Sequence, residues 1–180
     1  LPAYWYTDSK IFRKEKEQIF YKNWWYVGAL HQLSEPGEFL TTTVVDQEIC
    51  VIRVENNVLR AFYRDDFREA PDVKGIENFN PANFGLVSVR VETLMGLVFV
   101  NLDADADALT NISESMVKDM RAYCLGLDDL VLSRNYELET TANWKILVDN
   151  DLESYHSAVA HPSLMGLLDY STFEVWEDRF

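Results

Sequence analysis

Glu153, His156 and His161 fall within nine residues of the segment 143–162, NWKILVDNDLESYHSAVAHP, and use two of the three histidines in the chain. Two imidazoles with open positions beside them suit a mononuclear ferrous ion, and a later carboxylate would complete a facial 2-His-1-carboxylate set. Glu153 and His156 are three apart and share one face of a helix. His156 and His161 are five apart, which on a regular helix would turn them about 140° from each other. Pro162 changes that, because it pushes the preceding residue out of the α region. The spacing therefore predicts a helix that ends near Ala160 and a His161 that folds back toward the site. Asp149 and Asp151, one turn or less upstream, stand where a carboxylate could hold a ligand histidine through its second nitrogen. Ser154 and Tyr155 add polar groups. A surface helix carrying two solvated histidines would have the same spacing, and the residues alone leave both readings open.

The elements that must position these groups follow from periodicity. A helix is expected over residues 8–22, capped by Asp8 or Thr7, with Ile11, Phe12, Ile19 and Phe20 at helical spacing. Short strands and turns are expected from 24 to 102. Residues 44–45, 49–54 and 58–63 are rich in β-formers, punctuated by Pro36-Gly37, Asp46-Gln47 and Asn56-Asn57. Residues 84–91 and 97–102 add two more strands, giving a small antiparallel β unit. The run Asp103-Ala-Asp105-Ala-Asp107-Ala108 lacks the glycine and glutamate of a calcium loop and marks a boundary. Thr110 and Ser113 offer caps for a helix to about Leu125, with Met116, Val117, Met120 and Tyr123 as its core face. Residues 130–139 read as a strand, and residues 171–176 as another after the motif helix. The fold class is α+β. Trp24-Trp25-Tyr26 and Tyr4-Trp5-Tyr6 have no basic companions and read as packing rather than as a stacking platform.

The net charge of −14 argues against binding a nucleic-acid backbone. No apolar run approaches the roughly 18 residues that span a membrane. Two distant cysteines make no disulfide framework, which fits a reducing, cytoplasmic setting. Cys50 reads as a buried strand thiol and Cys124 as a packed helix residue. His31 reads as a loop residue.

Asn143-Trp144-Lys145, Asp149-Asn150, Glu153-x-Tyr155-His156 and His161-Pro162 closely resemble the iron-site helix of Rieske-type aromatic-ring and N-demethylating oxygenases. Tyr6-Thr7-Asp8, Ile11-Phe12, Glu15, Ile19-Phe20, Trp24 to Gly28 and Pro36-Gly37 look like the opening of such an α subunit. Gly96 to Leu102 resembles the strand that precedes its catalytic domain. The resemblance implies that His156 and His161 bind Fe(II). It implies that Glu153 is the carboxylate bridging that iron to a neighbouring subunit's [2Fe–2S] Rieske cluster. Asp149, Asn150, Asp151 and Tyr155 would surround the ligands. Glutamate rather than aspartate at 153 is more similar to members that oxidise quaternary ammonium compounds such as carnitine, glycine betaine, choline or proline betaine. Hydroxylation of an N-methyl or adjacent carbon there gives a hemiaminal that releases an aldehyde. O₂, an electron-supplying reductase and a homo-oligomer, most often a trimer, come with the family.

Two departures accompany the match. Rieske ligands are two cysteines and two histidines in Cys-x-His and Cys-x-x-His pairs, and none of the four is present. Leu59 to Tyr63 resembles the strand before the first pair, while Arg64 to Phe67 resembles sequence after the second, so the cluster-binding segment is expected to be missing between 63 and 64. The family's third iron ligand, an aspartate far beyond the histidines, is also absent, since neither Asp169 nor Asp178 matches it. The opening Leu1-Pro2 and the end at Phe180 suggest a portion of a larger polypeptide. On this resemblance residues 1–103 form a Rieske-like β domain lacking its cluster segment, and 104–180 the first part of a helix-and-sheet catalytic domain. An aromatic-ring oxygenase and a truncated, non-catalytic member serving only assembly remain as alternatives. A zinc hydrolase ranks last, for want of a His-Glu-x-x-His helix.

Overall fold

The computed structural model describes residues 1–64, 86–124, 126, 130–153 and 155–167. They fall into two compact units, one formed by Leu1–Phe12 with Tyr136–Phe180 and the other by Arg13–Asn135. These are groupings in space.

The helix expected over 8–22 is present as a continuous helical run over 9–20, α-helical and then π-helical, with a separate short turn before it. Helix α1 (Tyr4–Thr7) stops at Asp8, whose backbone is extended, and α2 (Ser9–Glu15) begins at once. The Asp8 carboxylate accepts the Lys10 N–H at 2.8 Å, the capping contact expected of it. A π-helical turn over Lys16–Phe20 follows. There the Phe20 carbonyl accepts the Trp25 indole N–H at 2.6 Å, and the two rings stack 5.3 Å apart. Trp24 likewise packs, donating to the Asp107 carbonyl at 3.0 Å under the Arg90 guanidinium. Tyr4, Trp5 and Tyr26 are exposed, so the packing role holds for Trp24, Trp25 and Tyr6 and not for the whole of either triplet.

Six strands build the larger unit: β1 (Trp25–Ala29), β2 (Phe39–Val44), β3 (Gln47–Arg53), β4 (Leu59–Tyr63), β5 (Ser88–Leu94) and β6 (Leu97–Asn101). They form one antiparallel sheet in the order β1-β6-β5-β4-β3-β2. Strand β3 is buried from Ile49 to Arg53, as a strand covered on both faces must be, whereas β2 alternates. Leu33, Ile49, Val51, Val98 and Val100 form the centre of the core. The sheet curls until β1 and β2, its two ends, approach each other. A Cβ on Gly28 would stand 2.5 Å from Leu40 Cδ1, so the closure uses the missing side chain. A bulge between Tyr26 and Gly28 adds the local twist.

One hairpin turn is shifted and another is tighter than the sequence suggests. Val44 pairs with Gln47, so the β2–β3 turn is Val45-Asp46, one residue earlier than expected. Leu94 pairs with Leu97, and both Met95 (φ 48°) and Gly96 (φ 73°) are left-handed, the geometry of a type I′ turn.

The helix expected after Ala108 is split at Ser113 into α3 (Leu109–Ile112) and α4 (Glu114–Tyr123). Neither Thr110 nor Ser113 caps it. Glu92 of β5 accepts the Leu109 N–H at 2.9 Å instead, while the Ser113 hydroxyl donates back to the Leu109 carbonyl at 2.6 Å. The face carrying Met116, Met120 and Tyr123 is exposed rather than core, and Cys124 is an exposed residue ending α4. Residues 130–139 form no strand: they lie exposed without a ladder, because a strand exists only where another edge pairs with it. Residues 171–176 lie outside the described residues.

Candidate metal centre

Helix α5 (Trp144–Leu152) starts at Asn143, whose side-chain oxygen accepts the Lys145 N–H at 3.0 Å. It ends at Leu152, eight residues short of the expected stop. Glu153 is extended (φ −95°, ψ 129°), and its N–H donates to the Asp149 carbonyl at 3.2 Å. Asp149-Asn150-Asp151 are poor helix formers, and two carboxylates in a last turn oppose the helix dipole. Two short helices follow, α6 (Ser157–Ala160) and α7 (Pro162–Met165). His161 (φ −124°, ψ 59°) leaves the helical region between them, as Pro162 requires.

The break brings Glu153 onto His156 across a turn rather than along a helix face. Glu153 Oε1 lies 2.5 Å from His156 Nδ1, and Oε2 accepts the His156 backbone N–H at 3.4 Å. A carboxylate only accepts, so in the neutral ring this contact favours the tautomer with the proton on Nδ1 and the lone pair on Nε2. The ring of His161 is folded back to 5.3 Å from that of His156, at 73°. A metal about 2.1 Å from each nitrogen at an octahedral angle places ring centres about 4.5–5 Å apart, so the two rings stand a little wider than a shared ion would draw them.

The other candidate residues are placed differently. The Asp149 carboxylate accepts the Tyr6 hydroxyl at 2.8 Å, which raises the phenol's pKa, and so its side chain faces the N-terminal segment. Asn150, Asp151 and Tyr155 are exposed. The contact expected of an aspartate on a ligand histidine is made by Glu153. Lys145 is 7% exposed, its ammonium 5.5 Å from the Tyr6 ring and 5.3 Å from the Trp144 ring. Trp144 and Lys145 thus anchor the helix. Tyr6 has no signal in spacing, since it lies 143 residues from Asp149.

No group of three His, Cys, Asp or Glu side chains able to hold a metal occurs among the described residues, and Asp169 and Asp178 lie outside them. The chain therefore offers an iron two imidazoles and an oriented carboxylate, but no third ligand among those residues. A Rieske cluster does not fit. Cys50 is buried in β3, where desolvation pushes its thiol up to about 11, opposite to what a thiolate ligand needs. An apolar depression of about 470 Å³, lined by Tyr26, Met95, Leu97, Met120 and Leu132 among others, includes none of the candidate ligands.

Residues 127–178 match the ring hydroxylating alpha subunit (catalytic domain) family. The carnitine monooxygenase oxygenase subunit of Acinetobacter pittii is 31% identical over 193 aligned positions, covering 89% of this chain and 52% of the relative. Those positions exceed the 180 residues of this chain, so the relative carries positions inside the match that have no counterpart here. The chloroplastic choline monooxygenase of Beta vulgaris is 24% identical, covering 96% of this chain and 46% of its own length. Among solved structures, the quaternary ammonium Rieske monooxygenase CntA in complex with L-carnitine superposes with a TM-score of 0.77 at 29% identity, over 92% of this chain and 56% of the other. The chain spans about half the length of the curated relatives it matches.

Proposed function

This chain is a homologue of the oxygenase α subunits of Rieske-type non-haem iron oxygenases, and from that premise we propose that it carries the mononuclear iron histidines of a quaternary ammonium oxygenase. The observation that carries the reading is the Glu153–His156–His161 arrangement, in which one histidine is oriented by a carboxylate and the second is folded beside it. His156 and His161 bind Fe(II); when bound, the ion supplies the position at which O₂ is activated for hydroxylation of an N-methyl or adjacent carbon. Glu153 holds His156 in the tautomer that presents Nε2, and the resemblance gives it the part of the family's bridging carboxylate. Asp149, Asn150, Asp151 and Tyr155 support the segment. The relatives named for carnitine and choline favour a trimethylammonium substrate over an aromatic ring.

The remaining parts of the reading are proposals of the same kind. Residues 1–103 descend from the Rieske-like β domain and 104–180 from the first part of the catalytic domain. The relative's extra positions leave room for a missing cluster-binding segment. A reductase, a trimeric assembly and a cytoplasmic setting complete it. Among the described residues no helix is long and apolar enough to cross a membrane. The lack of any Cys-x-His pair favours, as a second reading, a non-catalytic member used in assembly.

The test is intact mass of the purified protein with iron and acid-labile sulfide assayed on the same sample, after anaerobic addition of Fe(II). Iron retained by the wild type and lost in His156→Ala supports the site. Iron held equally by both overturns it. Sulfide with a mass well above 20.9 kDa supports the catalytic oxygenase over the assembly reading.

A further inference from the structure

The histidine pair is joined to the beginning of the chain by a continuous route of contacts. Tyr6 of α1 is attached to α5 at three places: its carbonyl accepts the Asn143 side-chain N–H at 3.0 Å, its ring faces the Lys145 ammonium, and its hydroxyl donates to Asp149. Asn143 uses its other amide atom to cap the same helix, so α1 and the start of α5 are set by one side chain. At the far end, the Asp149 carbonyl accepts the N–H of Glu153, the residue at which α5 terminates. Glu153 then grips His156 through both carboxylate oxygens, and the His161 ring rests against that of His156. The attachments run from the cap Asn143 to Asp149, six steps of helical rise or about 9 Å along the axis, so the helix is restrained against both rotation and sliding.

We infer that Tyr6 is a positioning residue for the histidine pair, acting through Asp149 and Glu153 without touching either ring. The inference rests on the iron-site reading above. A purely structural Tyr6 would act through its ring, packing α1 against α5, and Phe would replace it fully. A positioning Tyr6 acts through its hydroxyl, which Phe lacks. The two roles therefore separate at Tyr6→Phe.

The experiment uses the full chain with Co(II) as the probe, following its visible ligand-field absorption in anaerobic titrations alongside far-UV circular dichroism. Tyr6→Phe is expected to keep the wild-type dichroism while raising the Co(II) Kd about 10-fold, the scale seen when an outer contact of a ligand is removed. Asp149→Ala, which removes the acceptor, is expected to raise it similarly, and the double variant no further than Asp149→Ala alone. A Tyr6→Phe Kd within about twofold of wild type, with His156→Ala abolishing binding, overturns the positioning role and leaves the metal site standing. Binding that survives His156→Ala overturns both. If Tyr6→Phe loses its dichroism, Asp149→Ala, which keeps the ring and amide contacts of Tyr6, decides by the same criterion.

Discussion

Glu153 shows how much one side chain at a break can do. It ends α5, and its two oxygens reach the ring and the backbone of His156. Glu153→Ala frees the ring and removes the acceptor that selects its tautomer. The Co(II) Kd is expected to rise 10–100-fold, measured by the same titration, and an unchanged Kd would mean that His156 is oriented by something else. Asp46 is the corresponding polar centre of the β unit. It accepts from Lys16 at 2.7 Å and Tyr21 at 2.5 Å, and the Lys16 ammonium, ahead of the Tyr21 hydroxyl, holds its carboxyl well below the usual carboxylate range. Its folded pKa is below its unfolded one, so its contribution is full above about pH 4 and fades as pH falls through the folded value. The group is half-exposed, so Asp46→Asn is expected to cost no more than about 1 kcal/mol at pH 7. In urea unfolding followed by tryptophan fluorescence, the gap from wild type should close toward pH 2. A gap independent of pH would remove the ion pair as its cause.

At the scale of elements, turns and caps decide where each helix and strand stops. Met95 occupies the first central position of a type I′ turn, where a left-handed backbone suits Asn and strains Met. Met95→Asn is therefore expected to stabilise the larger unit by about 0.5–1 kcal/mol, read as a higher Tm in a thermal melt. A lower Tm would show that the apolar contacts of the Met95 side chain outweigh the strain. Caps from distant residues explain the misjudged ends. Glu92 caps α3 from a strand, and that contact has no local sequence signature. The hydroxyls of Thr110 and Ser113, which satisfy the local rule for a cap, are not used for it.

Across the whole molecule, stability is uneven, and hydrogen exchange should map it. Strand β3, buried and paired on both edges, is expected to exchange only by global unfolding, while residues 130–139 exchange close to the unfolded rate. Protection over 130–139 would reveal a ladder there. The order and class of the elements were legible in sequence because period-two apolar runs and turn residues are local signals. The tight clustering of Glu153, His156 and His161 was legible too, since residue type, three-residue spacing and a proline restrict the backbone by themselves. What needed tertiary structure was everything set by a partner far along the chain. Whether 130–139 is a strand depends on an edge to pair with, and the core role expected of Met116, Met120 and Tyr123 depends on a surface that would cover them. The attachment of Tyr6 to Asp149 across 143 residues depends on how α1 meets α5. Local sterics and short-range hydrogen bonds are written in neighbouring residues, whereas burial and pairing are properties of surfaces that exist only once the chain has closed on itself.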